Sequence, residues 1–565
     1  MRLAVLGLCF GVVVVCASSS AAQVQRQKLV ASDAQLGDRF GHAVSVSGDW
    51  AIVGAHEDSD LGSHSGAAYL FLRFGTQWIE TQKLHASDGG MFDDFGWSVS
   101  ISGDDVVVGA MQDSAANVSA SGSAYIFERV GTTWIETAKI WASDLGLQEE
   151  FGWSVAATTN RVVVGARNDA HAGFGSGSAY VFDNNAGTWT QTAKLTAIGA
   201  LSGDSFGGSV SIDGDVALVG ATGADAAGSN AGAAYVFQNF GGVWSQVTML
   251  TANDALTNDR FGTSVVLGGN RIVVGATSHD HGISNSGAAY VFEDFGLGWT
   301  QTHELRAPDA QGQDKAGDSV AMNGDTLLVG AISDDDVGFS SGSATAFRFD
   351  GSAWVPVGKL LPRDGVEGDL FGVALGVADN SVVSGSYWAD VACPQNVDCN
   401  SGAAYAFELA PDSSQYGSCT SGAPCANSDT HGGCLNSTGH GALLAAGGMS
   451  SCALDELVLQ ATHLPPSQNA IVFMGPASVT STYGDGLRVV SSGGLGLRRF
   501  PLQQADATGY FLQGPGLVAL SQTFAPVHQI AAGQTWNFQC WYRDPVGPCA
   551  NTTNLSNGVS VAFTP

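Results

Sequence analysis

A period of 55 residues is the feature that most constrains how this chain folds. In one register the dipeptide Phe-Gly occurs six times, and Ala316-Gly317 stands at the one position where Phe is missing. Successive occurrences are 55 or 56 residues apart. A fixed period is typical of architectures in which each repeat is one supersecondary unit that buries its core against its neighbours. The Phe-Gly pairs begin at Phe40, Phe95, Phe151, Phe206, Phe261 and Phe371.

Further landmarks inside each period predict four strands. In the second unit Ser98–Ile101 alternates, Gly103-Asp104 suits a two-residue hairpin turn, and Val106–Val108 is a buried run. Ala124–Phe127 and Trp134–Ile140 supply two more strands. Four antiparallel strands repeated seven times predict an all-β chain with a seven-bladed β-propeller.

The ends of the repeat region predict how the ring closes. The seventh unit ends at Tyr405-Ala406-Phe407 with no Trp and no fourth strand. Gln27-Lys28-Leu29 matches Gln82-Lys83-Leu84 but has no preceding blade. We therefore expect the N-terminal strand to complete the last blade. The lysines of the outer strands are interpreted as charges that prevent edge-to-edge pairing. They are Lys28, Lys83, Lys139, Lys194 and Lys359.

Residues 1–22 have the order of a secretory signal peptide. An arginine precedes the apolar stretch Leu3–Ala17, and small residues lead to an expected cleavage after Ala22. A lipid-modified Cys16 is the alternative. No later segment reaches the roughly twenty apolar residues of a membrane helix. We therefore expect a secreted protein, extracellular or at the cell surface, without a transmembrane segment.

The charge of the chain argues against two classes of partner. Only 22 Lys and Arg oppose 52 Asp and Glu, so the net charge at pH 7 is −30. Nucleic acids and anionic membranes require positive surface, and we expect neither as a partner. The charge does not indicate an oligomeric state.

The cysteines separate the chain into two regions. All eight that follow residue 22 lie in the last third, and an even number in an exported chain predicts disulfides. We divide the chain into a propeller over 23–410, a linker over 411–417 and a small disulfide-stapled β-sandwich-like domain over 418–565. Bridges are predicted between Cys393 and Cys399 and between Cys540 and Cys549. Three pairings remain open for Cys419, Cys425, Cys434 and Cys452.

Acidic residues recur in the loops that lead from one unit to the next. These loops should gather on one face, around the mouth of the central channel. Hard cations bind several carboxylate and carbonyl oxygens, so a calcium site is predicted there, and no other cofactor is indicated. The alternative is that each carboxylate accepts hydrogen bonds from its own loop backbone. Two positions before Phe-Gly stand Asp38, Asp93, Glu149, Asp204, Asp259, Asp314 and Asp369, and five residues earlier stand Asp33, Asp88, Asp144, Asp254, Asp309 and Asp364.

The loops that follow Gly-Ala vary most between units and should share that face. Variable loops on a rigid scaffold are where recognition usually lies. The seventh is the most distinct, and Tyr387, Trp388 and Asp390 are predicted to contact a ligand. The alternative is that this insertion packs against the C-terminal domain.

Signatures of catalysis are weak. Gly338–Gly342 fits the pattern GxSxG but lies between two predicted strands, whereas a nucleophile elbow requires a strand, a turn and a helix. His279-Asp280-His281 supplies two imidazoles but no third ligand at a spacing typical of zinc sites. We therefore expect a protein that is not an enzyme.

The repeat landmarks resemble those of the FG-GAP repeat family, known from integrin α-subunit propellers and bacterial surface proteins. The resemblance covers roughly residues 23–410 and implies a seven-bladed propeller with a role in adhesion or in recognition of proteins or carbohydrates. The family's DxDxDG calcium loop has no counterpart, because tight turns such as Gly48-Asp49 stand in its place. Segments at Asn436–Gly439, Thr535–Gln539, Trp541–Asp544 and Gly558–Val561 resemble a C-terminal module of secreted planctomycete-type proteins.

Three functions are therefore considered. The first is a binding or adhesion protein that recognises an extracellular protein or glycan through the propeller loops. The second is a structural component of a cell surface or matrix, anchored by the C-terminal module. The third is a carbohydrate-active enzyme with a site in the propeller channel.

Overall fold

The computed structural model describes residues 24–75, 77–391, 399–409, 413–416, 436–438, 442–447, 457–483, 486–491, 497–506, 509–545 and 552–563. The predicted signal peptide over 1–22 lies outside these residues, as do Cys393, Cys419, Cys425, Cys434, Cys452 and Cys549. Within the described ranges, no helix combines the length and apolarity required to cross a membrane.

The repeat region forms seven four-stranded antiparallel sheets. The first strands of successive sheets contact one another, and the last contacts the first, so the sheets close into a ring around a central axis. This confirms the predicted seven-bladed propeller. The strands are β1 (Val24–Leu29), β2 (Val44–Ser47), β3 (Trp50–Ala55), β4 (Ala67–Phe74), β5 (Gln77–Leu84), β6 (Phe95–Ser102), β7 (Asp105–Ala110), β8 (Ser123–Val130), β9 (Thr133–Ile140), β10 (Phe151–Thr158), β11 (Arg161–Ala166), β12 (Ser178–Asn185), β13 (Thr188–Leu195), β14 (Phe206–Asp213), β15 (Val216–Ala221), β16 (Ala233–Phe240), β17 (Val243–Leu250), β18 (Phe261–Gly268), β19 (Arg271–Ala276), β20 (Ala288–Asp294), β21 (Trp299–Leu305), β22 (Ala316–Asn323), β23 (Thr326–Ala331), β24 (Ser343–Phe349), β25 (Trp354–Leu360), β26 (Leu375–Ala378), β27 (Ser381–Ser386) and β28 (Ala403–Glu408), with a 3-10 turn at Ala115–Asn117.

The N-terminal strand completes the seventh blade, as predicted. β1 pairs antiparallel with β28, and Leu29 lies opposite Ala404. Leu29 is 1% exposed and packs in a core that includes residues of both the first and the seventh blade. The two ends of the repeat region are therefore held together by a shared sheet.

The Phe-Gly pair fastens each blade to the one before it. Phe95 is fully buried, and its ring meets Tyr125 edge-on at 5.4 Å. Its backbone N–H donates to the Ser65 carbonyl of the preceding blade at 3.2 Å. Gly96 has a φ of +93°, and a Cβ there would overlap the carbonyl oxygen of Ala67. Only glycine meets both requirements, which explains why the dipeptide recurs.

Four of the five outer-strand lysines are bound between aspartates, which gives them a structural role besides the predicted protection of the sheet edges, whereas Lys28 pairs with Asp364. Lys83 Nζ lies 2.8 Å from Asp33, 2.8 Å from Asp58 and 2.7 Å from Asp60. Tyr69 also donates its hydroxyl to Asp33 and Asp58. Carboxylates of two loops thus converge on one ammonium group. The same arrangement joins Lys139 to Asp88 and Asp113, Lys194 to Asp144 and Asp169, and Lys359 to Asp309, Asp334 and Asp336.

The described part of the C-terminal region is also built mainly of strands, which form three sheets. Strands of the largest sheet and of the three-stranded sheet share one hydrophobic core, to which Val472, Phe538 and Val559 contribute from the first and Leu459 and Phe511 from the second. The elements are β29 (Ser413–Tyr416), β30 (Leu443–Gly447), β31 (Val458–Thr462), β32 (Asn469–Gly475), β33 (Ala477–Tyr483), β34 (Gly486–Ser491), β35 (Arg498–Arg499), β36 (Gln503–Gln504), β37 (Phe511–Gln513), α1 (Leu517–Ser521), a 3-10 turn at Pro526–His528, β38 (Thr535–Arg543) and β39 (Thr553–Ala562).

Two expectations for this region are corrected. The segment expected to be a linker contains β29, which pairs with β39 and so extends the largest sheet. Cys540 is a free thiol rather than half of a bridge to Cys549. It lies in the core beside Phe538 and Tyr542, and burial raises the pKa of the thiol to about 12. In the propeller, Cys399 is disulfide-bonded, while its predicted partner Cys393 lies outside the described residues.

Candidate functional site

The seven acidic residues before the Phe-Gly positions each hold their own loop. Every one accepts a hydrogen bond from a backbone N–H three residues earlier, at 2.5 to 2.9 Å. Burial raises the pKa of Asp38 to about 6, although the backbone hydrogen bond acts in the opposite direction. One carboxylate oxygen is thus already engaged in each loop, and calcium binding by this ring stays a prediction. The residues are Asp38, Asp93, Glu149, Asp204, Asp259, Asp314 and Asp369.

The residue that follows Phe-Gly lies within two residues of the start of the inner strand of each blade, at the mouth of the channel. In the first three blades this residue is His42, Trp97 or Trp153. The rings of His42 and Trp97 lie 4.4 Å apart, and those of Trp97 and Trp153 lie 4.7 Å apart. All three side chains are only partly buried. Three neighbouring blades therefore present a continuous, accessible row of aromatic rings.

The predicted contact residues Tyr387 and Trp388 join this row. The ring of Tyr387 lies 5.2 Å from His42 and 6.0 Å from Trp388, and Trp388 is 42% exposed. His56 closes the group at 4.2 Å from His42 and 4.9 Å from Trp97. We call these six residues the mouth cluster. They are His42, His56, Trp97, Trp153, Tyr387 and Trp388.

The third predicted residue, Asp390, supports the loop rather than the cluster. Its carboxylate accepts a hydrogen bond from the backbone N–H of Asn400 at 2.7 Å. The carbonyl of Asn400 in turn accepts from the backbone N–H of Arg39 at 3.2 Å. Asp390 therefore joins the two ends of the seventh variable loop and couples them to the first blade.

Two arginines frame the mouth cluster. The Arg39 guanidinium lies 5.9 Å from the Tyr387 ring and 5.8 Å from the Trp388 ring. The Arg167 guanidinium lies 3.1 Å from the Trp153 ring. Cations at these distances are attracted by the electron-rich ring face. The positive charges are balanced by carboxylates, Glu57 at 3.0 Å from Arg39 and Glu150 at 2.8 Å from Arg167.

Burial makes several groups near the mouth neutral or close to neutral at physiological pH. Desolvation lowers the pKa of His42 to about 4, with the Arg39 charge acting in the same direction. Desolvation and then the charges of Glu57 and Asp93 raise the pKa of Asp94 to about 7. The centre of the site is therefore an uncharged aromatic surface, and the formal charges stand at its rim.

The structure also brings a second group of side chains together. His279 and His281, which have no convincing third ligand in the sequence, lie beside Asp254 and Glu304 in the fifth blade. Glu304 is 23 residues from His281 in sequence and occupies the position of the outer-strand lysine. The aligned repeats carry this signal, because His279 replaces an aspartate in the same blade in which glutamate replaces the lysine.

Comparison with known proteins agrees with the repeat pattern. A family profile described as FG-GAP repeat matches seven segments of the chain. No curated protein matches the chain significantly. Each segment starts in or near an outer strand and ends in the third strand of the next blade. The segments are 24–71, 78–127, 134–182, 189–237, 244–292, 299–347 and 354–407.

Proposed function

This chain belongs to the FG-GAP repeat family, and we propose that it is a secreted, non-enzymatic binding protein that recognises an extracellular glycan through the mouth cluster. The contiguous, partly exposed aromatic rings at the loop face are the observation that carries this proposal. Sugar rings present apolar C–H faces edged by hydroxyl groups. Such a face packs on an aromatic ring, while hydroxyls hydrogen-bond to charged groups at the rim.

The contacts of the mouth cluster support a recognition surface. The rings come from the first three blades and from the seventh variable loop, so a ligand would touch several blades at once. Arg39 and Arg167 stand where they can donate to hydroxyl oxygens, and Glu57 and Glu150 where they can accept. Aromatic anchors with a few fixed polar groups are typical of specific sites for small ligands.

The pairing of Glu57 and Glu150 with arginines favours hydrogen bonding over catalysis at these two carboxylates. Glycoside hydrolysis uses two carboxyl groups, one of them with a raised pKa, on either side of the scissile bond. Glu57 and Glu150 are each engaged with an arginine, at 3.0 Å and 2.8 Å. Such a rim suits hydrogen bonding to a bound sugar better than proton donation to a leaving group.

A glycan array probed with the full secreted chain tests the proposal. Hits are then titrated by isothermal calorimetry with the wild-type chain, with Trp388→Ala, and with Phe174→Ala as a matched control. Phe174 is also an exposed loop aromatic, at 72%, but lies in the third blade outside the mouth cluster. We expect Trp388→Ala to weaken binding at least tenfold and Phe174→Ala to leave it unchanged.

The same titrations are repeated with calcium and with a chelator, because calcium binding by the seven loop carboxylates stays a prediction. Loss of affinity in chelator would tie that face to glycan binding, and equal affinity would separate the two. Absence of binding to any glycan, or equal effects of both substitutions, would overturn the proposed function.

A further inference from the structure

The fifth blade departs from the arrangement of lysine and aspartates seen in its neighbours. The position of the bound lysine is occupied by Glu304, and that of the buried aspartate by His279. The loop aspartate is retained as Asp254, and His281 stands two residues after His279. One ligand atom from each of these four side chains lies within 4.8 Å of the others. Two imidazoles and two carboxylates thus converge where other blades hold an ammonium group.

His279 is oriented with one ring nitrogen toward this group. Its Nδ1 lies 2.9 Å from Asp259 Oδ2, and since a carboxylate can only accept, Nδ1 carries the hydrogen. Its Nε2 lies 3.6 Å from Asp254 and 4.0 Å from Glu304. The side chain is only 2% exposed, yet Nε2 has no hydrogen-bond partner. A buried nitrogen without a partner is costly, so its orientation points to a ligand.

We infer that Asp254, His279, His281 and Glu304 form a binding site for a divalent transition metal ion of the zinc class. The ion would take the place that the lysine ammonium occupies in four other blades. Imidazole nitrogen and carboxylate oxygen are the donors that zinc binds in proteins, whereas calcium takes oxygen ligands alone. The site therefore differs in kind from the calcium site predicted for the loop carboxylates.

The separations suit a small ion. Ligand bonds of about 2.0–2.1 Å in a tetrahedral site place the donor atoms roughly 3.4 Å apart. The observed separations are 3.6 and 4.0 Å from His279 Nε2, and 3.8 Å from His281 Nδ1 to Glu304. Small rotations of the side chains would shorten these separations to the tetrahedral value. Arg306 donates to both oxygens of Glu304, but each oxygen keeps a second lone pair.

Two further features fit a metal site. Asp259 holds the metal-facing histidine from behind, as carboxylates do for many metal-bound imidazoles, and is assigned as a positioning residue. A surface cavity of about 470 Å³ borders His281 and Glu304. It gives an ion access and leaves space for a water or a ligand atom to complete the coordination.

Metal content and affinity test the inference on the full secreted chain. The chain is stripped with chelator, loaded with zinc chloride, dialysed and measured by elemental analysis, and zinc binding is titrated by calorimetry. Cobalt(II) serves as a spectroscopic probe of tetrahedral coordination. We expect one zinc per chain, and a loss of affinity of at least tenfold in His281→Ala. His281 is half exposed, so this variant should fold like the parent, which circular dichroism would verify.

The chain provides matched controls. His171 occupies the position of His281 in the third blade, where Lys194 fills the cation position, so His171→Ala should leave zinc binding unchanged. His279→Asp combined with Glu304→Lys reproduces the arrangement of the third blade, where Asp169, His171 and Lys194 stand at the equivalent positions, and should abolish binding without loss of fold. Asp259→Asn should weaken binding about 10- to 100-fold. The inference is overturned if the wild-type chain retains no stoichiometric zinc, or if His171→Ala and His281→Ala have equal effects.

Discussion

Replacing Lys83 by methionine should destabilise the propeller by an amount that depends on how deeply its partner carboxylates are buried. The ammonium group lies 2.7 to 2.8 Å from three carboxylates, of which Asp58 is 2% exposed, while Asp33 and Asp60 are 39% and 36% exposed. The two exposed pairs contribute about 0–1 kcal/mol each. Removing the partner of a buried charge costs about 3–5 kcal/mol. Because the Tyr69 hydroxyl still donates to Asp58, we expect a loss of about 2–4 kcal/mol.

The fourth blade indicates which second substitution should compensate for the loss of Lys83. It carries Ala224 and Met249 at the positions of Asp58 and Lys83, so charge and counter-charge are absent together. The double variant Asp58→Ala/Lys83→Met copies that blade at these two positions and should recover more than half of the loss. Urea denaturation at neutral pH, followed by tryptophan fluorescence, measures both variants.

The pH dependence follows from the aspartates. Burial opposes the effect, but the hydrogen bonds from Lys83 and Tyr69 lower the pKa of Asp33 below 3.8. A lowered pKa means that the stabilisation is present above the unfolded value and is lost as pH falls through the folded value. The penalty of Lys83→Met should therefore shrink below about pH 4. A loss under about 0.5 kcal/mol at neutral pH, or a double variant no more stable than the single one, would refute this reasoning.

Three further predictions concern ring closure, blade packing and a partly buried carboxyl. Leu29→Ala in the strand that closes the ring should cost about 2–4 kcal/mol in denaturant unfolding, whereas Leu36→Ala, at a 62% exposed site, should cost less than about 0.5 kcal/mol; equal costs would contradict the closure. Gly96→Ala should cost more than about 3 kcal/mol because the methyl group would overlap the preceding blade, while Gly103→Ala, with no atom within 4 Å, should cost about 1 kcal/mol; melting temperatures in the reverse order would disprove the packing role. The pKa of Asp94 is raised to about 7, so its folded form binds more protons than its unfolded form between about pH 4 and 7, and its contribution to stability falls as pH rises through that window. Asp94→Asn should therefore be more stable than the parent by about 1–2 kcal/mol at pH 8 and equal to it near pH 4, and a difference that does not change with pH would argue against the raised pKa.

The propeller was predictable because its constraints are local and repeated. Phe95 and Gly96 pack against the preceding blade in the same way as their equivalents elsewhere, so the period of the sequence is the period of the structure. The unpaired third strand of the seventh unit likewise indicated that Val24–Leu29 would complete it. The C-terminal domain has no such repetition, and its β29 and the free thiol of Cys540 were not anticipated.

The candidate sites were only partly predictable, because both depend on side chains from different blades or loops. Tyr387 and Trp388 stood out as an unusual loop, but nothing local to them indicates Trp97 or Trp153 as neighbours. Glu304 was missed because it lies outside the local sequence of the two histidines. Aligning the seven units by position, rather than searching for motifs, shows both the aromatic row and the exchange of lysine for glutamate.

A crystal structure of the full chain soaked with an oligosaccharide found on the array tests the central claim most directly. The account predicts density for a sugar ring stacked on the mouth cluster, in contact with Trp97, Trp153 or Trp388, with hydroxyls near Arg39 or Arg167. Density for the sugar on the C-terminal domain, or on the opposite face of the propeller, would contradict it.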